Sequence, residues 1–168
     1  MCFRSNICCL TYIDYQNHNI YLATVEDIFT GEILSAEISN QHDSILALSA
    51  IQQAINTNRI PEVFHTDQGS EFMARIVTNY PENYGVKVSV SDKGSPRQNG
   101  YKESFFGRFK EENGDLNRFE SLGELIEEIY SYINYYNNYR IHTALKMTPS
   151  EFKRRFQDAD MLSQKSGT

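Results

Sequence analysis

The chain predicts an α/β domain, a five-stranded mixed sheet flanked by helices. Three observations carry this. Three β-type runs come first, joined by short polar turns, which reads as an antiparallel meander. Helical periodicity then alternates with two further strand-like runs, which implies a mixed sheet with helices packed on it. The length of 168 residues suits one domain with a sizeable core.

Residues 7 to 13 (Ile-Cys-Cys-Leu-Thr-Tyr-Ile) form an apolar run of strand length. Ile20 to Val25 and Glu32 to Ser39 follow as strands, with Gly31 marking a turn. Asp43 can cap a helix running to about Asn58, with Leu48, Ile51 and Ile55 on one face. Glu62 to Thr66 reads as a short buried strand and Glu71 to Tyr80 as a helix capped by Ser70. Val86, Val88 and Val90 at period two predict a fifth strand over Tyr84 to Ser91. Ser91 to Gly100 is polar, rich in glycine and reads as a mobile loop. Tyr101 to Glu112 is a helix whose stripe of Tyr101, Phe105, Phe106 and Phe109 is core packing. The capping box Ser121-Leu122-Gly123-Glu124 opens a long helix to about Tyr139. Thr148-Pro149-Ser150-Glu151 starts a short basic helix to about Phe156. Residues 1 to 157 are thus a core with a helical extension, and 158 to 168 a polar tail.

No apolar run is long enough to cross a bilayer, and the N-terminus is too polar for a signal peptide. The default location is the cytoplasm. Cys2, Cys8 and Cys9 match no zinc-ribbon spacing and read as reduced thiols. A net charge of −6 argues weakly against nucleic acid. Its distribution argues the other way, because Lys93, Arg97, Lys102, Arg108 and Lys110 cluster while the acids concentrate elsewhere.

Asp67 ends a predicted strand beside the Gly69 turn, a position where α/β proteins expose chemistry. Thirty-five residues separate it from Glu103 on the helix after the polar loop. Asn99 lies one turn before Glu103, and Lys110 two turns after it, so one helix face presents an amide, a carboxylate and an ammonium. Two carboxylates from different elements can hold Mg²⁺ ions for phosphodiester chemistry, and a lysine can hold the phosphate. For an arbitrary Asp and Glu, a solvated charge pattern would be the better reading. The surrounding motifs tip the balance.

His65-Thr66-Asp67-Gln68-Gly69-Ser70, Lys93-Gly94-Ser95-Pro96 with Asn99, and Glu103-Ser104-Phe105-Phe106-Gly107 with Lys110-Glu111-Glu112 resemble a known family. So do Tyr135-Tyr136-Asn137, Tyr139-Arg140, His142, Ala144-Leu145 and Thr148-Pro149. The family is the catalytic domain of bacterial insertion-sequence transposases similar to retroviral integrases, of the DDE type with a ribonuclease-H-like fold. The resemblance covers about Leu10 to Phe152. It implies Asp67 and Glu103 as the second and third acids, Lys110, Asn99, Arg97 and Lys102 as DNA contacts, and Mg²⁺ or Mn²⁺ as cofactor. It implies transposon-end and target DNA as partners, a homo-oligomeric synaptic complex, strand nicking and transfer, and a bacterial, nucleoid-associated location. No membrane partner is implied.

The family pattern in the first strand is Asp, an apolar residue, Thr and Tyr. Here the words are Cys9-Leu10-Thr11-Tyr12, so Cys9 stands at the first-acid position. Asp14 is five residues on and faces the opposite side of a regular strand. Asp27 matches a non-catalytic family position. A thiol is a poor Mg²⁺ ligand, which predicts weakened metal binding and impaired activity. The family's DNA-binding region precedes this domain, so Met1 suggests a truncated or frameshifted reading frame, with the residues before Ile7 out of register. The alternative is a non-catalytic DNA-binding or interaction module on the same fold.

Overall fold

The structure, a computed structural model, describes residues 5–58, 60–67, 69–90 and 96–165, with backbone alone described over 96–104 and 158–165. Five strands form one sheet: β1 (Ser5–Tyr15), β2 (His18–Asp27), β3 (Ile33–Ser39), β4 (Val63–Thr66) and β5 (Lys87–Val90), in the order β3-β2-β1-β4-β5. β1, β2 and β3 pair antiparallel, whereas β4 and β5 join β1 in parallel. The mixed sheet and antiparallel meander are as the element order predicts. Ser5 and Asn6, expected to be out of register, pair with Val63 and Phe64, and Asn6 is buried.

Alternation along β1 divides the core between the two faces. Cys8 and Leu10 pack with Ala23, Val25 and Phe64 against α1 (Ser44–Thr57) and α2 (Arg75–Glu82). Ile7, Cys9, Ile13 and Tyr15 pack against α3 (Pro96–Asn113) and α4 (Leu122–Asn138). Asp43 caps α1 by accepting from the Leu46 N–H at 3.0 Å, and Ser121 caps α4 through the Glu124 N–H at 3.2 Å. Both caps were legible as sequence words.

Four boundaries differ from expectation. α2 starts at Arg75, not Glu71, because the buried Phe72 draws the chain into a turn on the Gly69 carbonyl. The Ser70 hydroxyl bonds the Glu71 carboxylate at 3.3 Å instead of capping a helix. β5 starts at Lys87, since Gly85 (φ +75) and Val86 donate back to the last turn of α2. α3 starts at Pro96, whose fixed φ suits a first helical position, so the expected loop is helical over 96–100. Residues 91–95 lie outside the described ones. Finally α5 (Pro149–Lys165) continues well past Phe156, where fraying was expected.

The tail motif is structural. Both side-chain atoms of Asn137 pair with the backbone of Ile33 at 2.9 Å, tying α4 to β3. Arg140 donates to Glu112 at 2.9 Å, and the Tyr132 hydroxyl donates to the same carboxylate at 3.0 Å, tying α4 to the end of α3. His142 packs edge-on to Tyr136, with centroids 4.5 Å apart. No helix among the described residues is long and apolar enough to cross a membrane.

Candidate functional site

β1 and β4 set the site. Their parallel register pairs Ile7 with His65. Carried two residues beyond that last pair, the register points Cys9 and Asp67 to the same level, and Cys9 lies on the face that α3 covers. Asp67 follows the last residue of β4, and its Oδ1 accepts from the Gly69 N–H at 2.9 Å. That Asx-type turn fixes the carboxylate at the mouth of the sheet. Burial pushes the His65 imidazole below its ordinary value, so desolvation favours its neutral form.

Cys9 is 4% exposed and lies in the core cluster of Phe105, Phe106 and Phe109. α3 therefore docks directly on the Cys9 side of β1. Glu103, Asn99, Arg97 and Lys102 lie in α3, but their side chains are outside the described residues. Lys110 is in α3, exposed, with its ammonium 5.2 Å from the centroid of the Tyr12 ring. Asp14 is exposed and alternates away from Cys9. Asp27 accepts from the Phe29 and Thr30 N–H groups at 2.8 and 2.9 Å, which commits it to the turn after β2.

Sequence reasoning missed two residues. Tyr12 meets Lys110, and nothing in the local sequence signals that meeting. Glu26 is 6% exposed on the Cys9 face of β2, paired with Ile7. Burial, and secondarily the neighbouring Asp27, push its carboxyl from the ordinary 4.5 up to about 8. Parity could have found it, since Leu22, Thr24 and Glu26 alternate onto one face.

The described donors alone do not fit Mg²⁺. Cys9 supplies a soft thiol, Asp67 one carboxylate, and no group of three or more potential metal-binding side chains occurs among the described residues.

Sheet order, helices on both faces and an acid at the end of β4 beside the middle of β1 define a ribonuclease-H-like core of the integrase type. The HTLV-2 integrase catalytic core domain, solved in complex with magnesium in a trimeric form, aligns with a TM-score of 0.70 at 21% identity. The alignment covers 88% of this chain and 94% of that one. Family models described as integrase core domain match residues 8–96 and 84–149, and the chain belongs to that family, the DDE transposase and integrase cores. Its relatives include the putative transposase InsK for insertion sequence element IS150 of Escherichia coli (strain K12), 33% identical over 148 residues, which are 86% of this chain and 52% of the relative. The transposase for insertion sequence element IS904 of Lactococcus lactis subsp. lactis (strain IL1403) is 31% identical over 150 residues, which are 86% of this chain and 59% of the relative. The chain spans about half the length of the curated relatives it matches.

Proposed function

We propose that the chain is a transposase catalytic domain whose strand-nicking and strand-transfer chemistry is impaired at its first ligand position. Asp67 and Glu103 are its metal-binding acids, for Mg²⁺ or Mn²⁺, and Cys9 stands where a third acid belongs. Lys110, Asn99, Arg97 and Lys102 contact the DNA, which comprises element ends and target, within a homo-oligomer. One observation supports the reading: the β1–β4 register, carried past Ile7 and His65, points Cys9 and Asp67 to one level, and Cys9 lies under the helix that bears Glu103 and Lys110, in a chain of the integrase core family.

When bound, the metal supplies Lewis-acid stabilisation at the phosphodiester oxygens. Asp67, held by its Gly69 bond, presents a preset carboxylate. Lys110 binds the phosphate backbone as a point charge. Cys9 cannot act as a hard donor, because its sulfur is soft and suits Mg²⁺ poorly. Mn²⁺ tolerates a mixed donor set better than Mg²⁺, so it restores part of the loss.

The test is Mg²⁺ and Mn²⁺ titration calorimetry on the chain, Cys9→Asp and Asp67→Asn, with nicking of an element-end duplex alongside. Cys9→Asp should tighten Mg²⁺ by about tenfold or more and raise nicking, whereas Asp67→Asn should abolish binding. Equal Mg²⁺ affinity in the chain and Cys9→Asp would show that Cys9 is not at a ligand position. The burial of Cys9 among phenylalanines favours a second reading, a DNA-binding module without catalysis. That reading stands if Cys9→Asp binds DNA but gains neither metal nor nicking.

A further inference from the structure

The turn that sets Asp67 runs through Gly69. The Gly69 N–H donates to the Asp67 carboxylate at 2.9 Å, and the Gly69 carbonyl accepts from the Phe72 and Met73 N–H groups at 3.0 and 3.2 Å. The Cα of this glycine is covered by a side chain. The Glu71 carboxylate lies against it so closely that a Cβ on residue 69 would overlap both carboxylate oxygens.

The Glu71 side chain is only 10% exposed. A carboxylate withdrawn from water needs polar partners. The Ser70 hydroxyl supplies one from within the turn, at 3.3 Å. The other comes from a different part of the fold, since His42 Nε2 lies 3.5 Å from Glu71 Oε1. His42 stands between β3 and α1, next to Asp43, the cap of α1. Its ring meets that of Tyr21 on β2 edge-on at 5.0 Å. Tyr21 packs against the apolar cluster on the α1 face of the sheet, and Phe72 belongs to it. The Asp67 turn is thus fastened from the α1 face to elements that lie beyond β1 in the strand order.

We propose that Glu71 is a positioning residue for Asp67: held by His42, its carboxylate covers Gly69 and keeps the Gly69 N–H aimed at the Asp67 carboxylate. The consequence for metal binding rests on the reading of Asp67 as a ligand proposed above. Partners one step behind a ligand orient it, and losing one typically weakens metal binding tenfold or more. His42 is 42% exposed, and an ion pair so open to water adds little to global stability. Its effect is on the geometry of the turn.

The test compares the 168-residue chain with Glu71→Ala, Glu71→Gln, His42→Ala and the double variant His42→Ala with Glu71→Ala. Three quantities are read: Mn²⁺ affinity by calorimetry, exchange of the Gly69 amide proton by nuclear magnetic resonance, and the urea midpoint. Glu71→Ala should weaken Mn²⁺ about tenfold and speed Gly69 exchange by a similar factor, with exchange in β4 and α1 unchanged. His42→Ala should move both in the same direction at an unchanged urea midpoint. Glu71→Gln keeps an oxygen for His42 and should retain both values. The double variant should be no worse than Glu71→Ala, because the two residues act as one unit. Should Glu71→Ala lower the urea midpoint, His42→Ala decides. Unchanged Gly69 exchange in both single alanine variants would overturn the positioning role, whatever happens to Mn²⁺. An Mn²⁺ affinity untouched by Asp67→Asn would instead overturn the ligand reading, and Gly69 exchange would still decide the role of Glu71.

Discussion

Glu26 makes the fold sensitive to pH, and Glu26→Gln isolates that sensitivity. The carboxyl is buried on β2 and titrates at about 8 in the folded chain, against an ordinary 4.5. A group whose folded value is raised gives its full stability below the unfolded value and loses it as pH rises through the folded one. The loss therefore runs from about pH 4.5 to pH 8. At pH 7 folding forces a proton onto Glu26, which costs about 3 kcal/mol at about 1.4 kcal/mol per pH unit. Above pH 8 the cost levels off at about 5 kcal/mol. Glutamine has nearly the same shape and never ionises. Any fixed difference in its hydrogen bonding is the same at every pH. Urea denaturation of both chains at pH 4.5, 6, 7 and 8.5, at one ionic strength, gives the difference directly. The advantage of Glu26→Gln should grow by about 3 kcal/mol between pH 4.5 and 7. A difference that stays flat across this range would refute the reasoning, and would mean that Glu26 is hydrated or paired when ionised.

Two more perturbations address how α3 is held. Arg140→Ala removes the ion-pair partner of Glu112, the carboxylate that also accepts from the Tyr132 hydroxyl, and should cost about 1–2 kcal/mol in urea denaturation; a loss below a few tenths would reduce the pair to a surface contact. Phe105→Ala empties a site that is 1% exposed and lined by the Phe106, Tyr132 and Tyr136 rings. It should cost about 3–5 kcal/mol and weaken the near-ultraviolet dichroism, and an unchanged melting temperature would contradict that packing.

The sheet was legible because its signals are local. The meander shows as alternation, and Asp43 and Ser121 show as caps. Asp67 was legible for the same reason, an acid between a short strand and a glycine. What stayed hidden depends on long-range geometry. The contact of Tyr12 with Lys110 requires knowing where α3 docks on the sheet. The late start of α2 depends on Phe72 finding the α1 core, which no capping rule contains. The early start of α3 at Pro96 stays hidden because a proline in a polar stretch suits a loop and a first helical turn equally well. The parity of Glu26 is readable, but a buried carboxylate runs against the usual exposure of charged residues.

The strand order also dictates which part of the site closes last. The β1–β2 turn closes over two residues, Gln16 and Asn17, so the meander gathers from near neighbours in the chain. Joining Ile7 to His65 instead encloses all of β2, β3 and α1. Closing so long a loop costs about 2 kcal/mol more in chain entropy than closing a loop of a few residues. Contacts of that range are also the slow ones to form. Cys9 belongs to the early half of the sheet and Asp67 to the late half. The seam between them is where the entropy of assembly is concentrated, and it separates first when the late half loosens.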